Sequence, residues 1–419
     1  MRAPAQPADG PSRRDVATLF ATRGLRLFAY GALSVVLVLH LAAMGLTPER
    51  IGLLLTLTLL GDTAVSLVVT TRADRHGRRR MLALGAVLMC GAGLLFASTT
   101  DFWLLLLGAT LGILSPSGNE VGPFLAIEQA ALSSAVSDRE RTRVFARYTL
   151  TGSFATAAGA LAGGVMAEGL QHAGWSPLAA YRAVIVLYAA IGLALLVLFA
   201  RLSPRVEAAA KPAPAAPAGW AGFGLHRSRA TVLRLSGLFA LDAFAGGFIV
   251  QSFLAAWLHA RFGAGEAIIG AIFLGANVLA GLSALAAAPL ARRFGLVNTM
   301  VFSHLPSNLL LLAVPFMPTL PLAAGLLFLR FSISQLDVPT RQSYTMAVVA
   351  PDERAAAAGV TGMARTIGAS LAPVLAGPLY AVPSLAWVPF AVCGALKLGY
   401  DLALWRAFSS LKPPEERPG

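Results

Sequence analysis

Long apolar runs recur along the chain from about residue 25 to residue 408, each divided from the next by a short polar or basic segment. Each run reaches the roughly 20 residues that a helix needs to cross a hydrocarbon core. Backbone in that core has no water to bond to, so the runs are predicted to be helices. Twelve spans are expected, near 25–45, 51–71, 81–98, 102–131, 144–168, 181–202, 232–259, 267–290, 297–317, 319–347, 357–381 and 385–407. The one long interruption, residues 203–230, is rich in Pro and Ala at its centre, the composition of a semi-rigid linker. It divides the spans six and six. The predicted organisation is a tail at 1–16, a six-helix bundle at 17–202, the linker at 203–230, a second six-helix bundle at 231–408 and a tail at 409–419.

Composition agrees with this pattern. Of 419 residues 57% are hydrophobic and 13% charged, where a soluble protein carries about a quarter charged. Too little polar surface is left to cover a water-exposed globule. The net charge of +13 sits in short clusters between the runs, which points to a lipid bilayer rather than to nucleic acid. With the N-terminus inside, Arg13, Arg14, Arg72, Arg75, Arg78, Arg79, Arg80, Arg139, Arg141, Arg143, Arg205, Arg227, Arg229, Arg292, Arg293 and Arg354 fall on one side; only Arg50, Arg182 and Arg261 fall on the other. The positive-inside rule then places both termini in the cytoplasm of a multi-pass protein of the cell membrane, the inner membrane in a bacterium. Cys90 and Cys393 each lie within an apolar run, so no disulfide framework is expected. Residues 1–16 do not read as a cleavable signal, and the first span is expected to direct insertion.

The halves repeat one another. Gly52 and Gly77 are 25 residues apart, as are Gly270 and Gly295, at a constant offset of 218. Ala158–Gly163 (AGALAG) matches Ala372–Gly377 (APVLAG), and Glu120-Val121-Gly122-Pro123 parallels Asp337-Val338-Pro339. Three matches in one order argue for an internal duplication, and two similar six-span halves are a transporter architecture.

The segment after the second span, Asp74-Arg75-His76-Gly77-Arg78-Arg79-Arg80, resembles the signature loop of the major facilitator superfamily. Thr70 stands where that family usually has its first Gly. The resemblance implies twelve transmembrane helices in two pseudo-symmetric bundles, and a cytoplasmic gating loop formed by Asp74, Arg75, Gly77, Arg78 and Arg79. It also implies that Glu128 pairs with Arg78 or Arg79. Gly159-Ala160-Leu161-Ala162-Gly163-Gly164 partly resembles the Gly-rich motif of proton-driven antiporters in that superfamily, without its Pro, and reads rather as small-residue helix packing.

An ionisable group at mid-membrane costs about 2.5–3.5 kcal/mol on insertion scales, so each one needs a reason. Asp62, Glu120, Glu128, Asp242 and Asp337 qualify, with Arg330, Arg341 and Lys397. Glu120, beside Asn119, lies in a Pro- and Gly-bearing stretch of the fourth span, and Asp337 stands at a matching depth in the tenth. Both are candidates for proton coupling or solute binding, with Asp62 or Asp242 assisting, and Asn119, Arg330 and Arg341 are further candidates. Asp337 and Arg341 are spaced i,i+4 and can pair structurally instead. The scattered His residues give no metal site, and no nucleotide, nucleophile or cofactor motif occurs. An enzyme is therefore not expected, nor is a cofactor. The expectation is a monomeric secondary transporter moving a small solute by alternating access, coupled to protons and working in export. Proton-coupled uptake, an uncoupled facilitator and a receptor on the same scaffold are the alternatives.

Overall fold

The computed structural model describes residues 11–135, 138–207 and 225–411, with the side chains at 74, 75, 134, 135, 138–143, 351 and 355 outside that description. The outer parts of both predicted tails and the centre of the linker, 208–224, lie outside the described residues. All regular structure within them is helical.

The first helix, α1 (Arg13–Ala43), begins a dozen residues before the expected span. The reason is local. Ser12 accepts from the backbone N–H of Asp15 at 3.2 Å while the Asp15 carboxylate takes the Ser12 N–H at 2.8 Å, a reciprocal capping box that nucleates the helix upstream of its apolar part. The early start places Arg23 and Arg26 inside a helix. The next helices are α2 (Pro48–His76) and α3 (Arg78–Ser98). They meet at Gly77, whose φ of +95° no side-chain-bearing residue adopts readily.

The fourth span is not one helix. It splits into α4 (Phe102–Leu111) and α5 (Phe124–Ala135), with irregular backbone from Gly112 to Pro123. Gly118 and Gly122 both have positive φ there, and Pro116 and Pro123 remove two donors. Then come α6 (Asp138–His172) and α7 (Pro177–Ala200). The seventh span breaks between α8 (Arg229–Gly247) and α9 (Gln251–Phe262). It is followed by α10 (Glu266–Phe294) and α11 (Leu296–Ala313). The tenth breaks between α12 (Leu320–Ser334) and α13 (Asp337–Ala347), before α14 (Arg354–Ala381) and α15 (Val388–Phe408) close the order. Among the described residues ten helical stretches are long and apolar enough to cross a membrane, and α4 with α5, together with α14, bring the count to the expected twelve. Non-helical backbone at such depth is tolerated only where protein or a cavity surrounds it.

The chain divides into two compact units. Unit 1 holds Met1–Thr47, Leu60–Pro212 and Gly263–Leu274; unit 2 holds Pro48–Leu59, Ala213–Phe262 and Gly275–Gly419. In unit 1, α1 packs along α6 and α7, and α3 along α7. The α1–α6 contact is built on glycine: a Cβ at Gly159 would lie 2.0 Å from the Phe28 carbonyl oxygen, and one at Gly31 2.1 Å from that of Thr156. Gly164 likewise meets the backbone of Glu266 and Gly270 that of Ala160. The Gly159–Gly164 motif therefore acts as small-residue packing, in which missing side chains let backbones touch. In unit 2, α8 lies against α14 and α11 against α15. Gly52 meets Pro373, and Gly377 meets Pro48 and Gly52. Of the glycines that revealed the sequence repeat, Gly52, Gly270 and Gly377 are thus contact positions.

Outside the spans, Glu353 fixes the start of α8. Its carboxylate accepts from the backbone N–H of His226, Arg227 and Ser228 at 2.6, 2.7 and 2.8 Å. Burial opposes the charged form, but these bonds and the Ser228 hydroxyl prevail and hold the carboxyl down to about 2, from 4.5. A depressed carboxyl stabilises fully above its unfolded pKa, and that contribution is lost as pH falls through the folded value. Between about pH 4.5 and 2, amide exchange at His226–Ser228, corrected for intrinsic rate, is therefore expected to accelerate. Glu353→Gln should exchange fast at neutral pH already; slow exchange there would refute the assignment.

Candidate functional site

Each unit buries one cluster of charge beside a break in a helix. In unit 1 the centre is Arg26, fully buried on α1. Its guanidinium spans two carboxylates. Nε donates to Glu120 at 2.9 Å, and Nη2 and Nη1 donate to Glu128 at 2.7 and 3.0 Å. Arg23, one turn earlier, donates from Nη1 to Glu120 at 2.6 Å and from Nε to the Tyr148 carbonyl at 2.8 Å. Glu128 also accepts from the hydroxyls of Thr22, at 2.8 Å, and Tyr148. The Arg23 guanidinium lies over the Tyr148 ring, and that of Arg26 over Phe124. Two arginines and two glutamates balance, and low dielectric strengthens each pair while penalising loss of any member. The carboxylates differ in access, since the Glu128 side chain is 0% exposed and that of Glu120, in the irregular segment, 14%.

Glu128 therefore does not pair with Arg78 or Arg79 as the sequence led one to expect. Its place one helical turn inside α5 puts it against α1. The loop between α2 and α3 is held differently: the Glu207 carboxylate, just past α7, accepts from the backbone N–H of Arg78 and Arg79, the latter at 3.3 Å. The Arg79 side chain donates to the Ala200 carbonyl at 2.9 Å. Gly77 lies against the same carboxylate. The side chains of Asp74 and Arg75 lie outside the described residues.

Asp62 of α2 is buried, and its Oδ1 has no hydrogen-bond partner. It stands within electrostatic reach of Glu120. Asn119 is exposed, its carbonyl taking the Ser115 hydroxyl at 2.7 Å.

In unit 2 the centre is Asp242 on α8, which pairs with both Lys397 of α15 and Arg341 of α13, the latter at 3.2 Å. Arg341 Nη1 also bonds Asp337 at 3.0 Å, so the i,i+4 pair expected from spacing forms, and a second acid joins it. One turn beyond Lys397, Asp401 accepts from His304 at 2.8 Å and from Asn308 at 2.9 Å. Arg330, on α12, makes no hydrogen bond or ion pair among the described residues.

Sequence reasoning missed Arg23, Arg26, Tyr148, Asp401 and Arg365. Two signals were available. Arg23 and Arg26 stand three apart, hence on one helix face, and Asp401 stands four beyond Lys397. Nothing in the linear sequence marked Tyr148.

An all-helical chain with twelve spanning stretches, carrying balanced ion pairs at the breaks in its helices, has the make-up of a polytopic membrane transporter. The comparisons say which kind. A family model described as the Major Facilitator Superfamily matches residues 19–373, and the chain belongs to that family, whose members carry small molecules across membranes. An uncharacterised membrane protein of Saccharomyces cerevisiae is 30% identical over 418 residues, covering 93% of each chain. Among solved structures, a nucleoside transporter superposes with a TM-score of 0.75 at 16% identity, covering 94% of this chain and 100% of that one. A D-xylose–proton symporter gives 0.70 at 16% identity, covering 96% and 98%. At such identity the likeness is one of fold alone.

Proposed function

We propose that the chain is a proton-coupled secondary transporter that exports a small solute across the cell membrane by alternating access, as a monomer with both termini in the cytoplasm. The observation that carries the coupling is the clasp on Glu120. This acid stands in irregular backbone, partly open, while Arg23 and Arg26 hold it closed. A proton on Glu120 cancels the charge that both arginines grip, and so couples proton binding to the geometry of α1 against the α4–α5 break. Asp337 offers the equivalent act in unit 2, since protonating it loosens Arg341. Asp62 assists: a buried carboxyl without a counter-ion is relieved of a solvation cost by taking a proton. The likeness of fold to a proton symporter supports coupling. The placing of basic loops supports the topology, with bundles at 17–202 and 231–408 as the moving parts. Export rests on the family resemblance.

Proteoliposomes under an imposed pH gradient test this reading. Glu120→Gln and Asp337→Asn are expected to abolish gradient-driven accumulation while leaving exchange at equal pH measurable. If both variants keep full gradient-driven accumulation, the coupling assignment fails.

A further inference from the structure

We propose that Arg330 and Arg365 form an anion-recognition site in unit 2, so that the solute carries a carboxylate, phosphate or similar anionic group. This rests on the transporter reading above and deepens it.

The two arginines sit on buried faces. On α12 the buried positions include Ala323, Leu327 and Ser334, with Leu322 and Leu329 exposed. Arg330 falls on the stripe of Ala323, Leu327 and Ser334, at helical spacings of four, three and four. On α14, Ala357, Thr361, Gly368, Ala372 and Ala376 are buried, with Ile367, Leu371 and Leu375 exposed, and Arg365 completes that stripe. Gly368, one turn on, touches the backbone of Ala240 on α8, so this face of α14 looks toward the helix that bears Asp242. Arg365 is the twelfth of 28 residues in its helix, ~17 Å along it at 1.5 Å per residue, beyond the reach of easy snorkelling.

Neither arginine is neutralised. No hydrogen bond or ion pair of either side chain occurs among the described residues, and the Nε of each is enclosed without an acceptor. Both residues are half-buried as a whole. The Arg330 guanidinium lies 5.0 Å from the ring centroid of its neighbour Phe331, which does not cancel a charge. Acids are close by, and both arginines lie within electrostatic reach of Asp242 and Asp337. Those acids are committed, however: Asp242 to Lys397 and Arg341, Asp337 to Arg341, Asp401 to His304 and Asn308. The unit 1 cluster shows how this fold satisfies buried guanidinium from within, acid for base. In unit 2 two guanidinium groups lack that partner. Burying such a charge is costly unless a counter-charge arrives, and a planar fork suits carboxylate and phosphate oxygens above all. The missing anion is the solute.

The test uses the full chain in detergent and follows its thermal unfolding midpoint with added probes. Succinate and inorganic phosphate are compared with succinamide, glycerol and tetraphenylphosphonium. At least one anion is expected to raise the midpoint of the unaltered protein where the neutral and cationic probes do not, a comparison that needs no variant to fold. Arg330→Gln and Arg365→Gln should each weaken that anion's apparent affinity by about tenfold or more, the effect of losing one charge-assisted hydrogen bond. Arg406→Gln, at the exposed end of α15, should not. Stabilisation by neutral or cationic probes alone, no response to any anion, or an anion effect unchanged in both glutamine variants would each overturn the assignment. Gradient-driven flux of a neutral solute in proteoliposomes would remove the anion site and leave the transporter standing. An anion that binds through these arginines but never crosses would do the reverse.

Discussion

Arg26→Met should fail to give a stable, monodisperse protein in detergent, losing about 3–5 kcal/mol, the range measured when one partner of a buried ion pair is removed. Arg26 is enclosed and makes hydrogen bonds to two carboxylates at once. Without it Glu128 keeps only the hydroxyls of Thr22 and Tyr148, and Glu120 keeps only Arg23. A loss of that size is a large share of the ~5–15 kcal/mol that separates a folded chain from its unfolded state. Arg23→Met should be milder, since Glu120 retains Arg26 and some access to water. The discriminating measurement is the double variant Arg26→Met with Glu128→Gln: removing the orphaned charge should restore part of the lost unfolding temperature. If Arg26→Met alone unfolds within a degree of the parent, the cluster does not hold unit 1 together.

Gly159→Val is the second large effect. Its Cβ would lie 2.0 Å from the carbonyl oxygen of Phe28 and 2.7 Å from the carbonyl carbon. Both are backbone atoms, so no rotamer relieves the clash and α1 must move away from α6. Overpacking usually costs about 1–3 kcal/mol; a backbone collision where α6 crosses α1 should reach or exceed the top of that range. Gly169, in the same helix with nothing within 4 Å, supplies the contrast. There an alanine should stabilise by up to about 1 kcal/mol through helix propensity, whereas Gly159→Ala should destabilise. Opposite signs for one chemical change on one helix, read as unfolding temperatures, would establish the close approach; equal shifts would refute it.

The same residues show how far the sequence can be read. Hydrophobic run length reported the spanning helices well, because the bilayer imposes a length and forbids unsatisfied backbone. Where local chemistry acted within a few residues, the reading held: Asp337 and Arg341 paired as their spacing allowed. It failed where a partner came from far along the chain. Arg26 finds Glu128 across 102 residues, and Lys397 finds Asp242 across 155. A loop motif draws Glu128 toward Arg78 or Arg79, while Arg26, the arginine that holds it, stands at the start of an apolar run that reads as plain helix. Likewise Pro and Gly signalled a loosened fourth span, yet whether such residues kink a helix or break it depends on what surrounds the freed backbone.

By itself, then, the sequence determined that this is an all-helical membrane chain of two related halves with acids inside its spans, because the solvent it must live in constrains every residue of a run in the same way. Which acid meets which base from far along the chain was decided only by tertiary structure, as was the place of Arg330 and Arg365, which meet no acid among the described residues. A charge has no periodicity to read. Its partner is set by the side chain that helix packing brings within 3 Å, and that geometry depends on glycine contacts and helix breaks acting together.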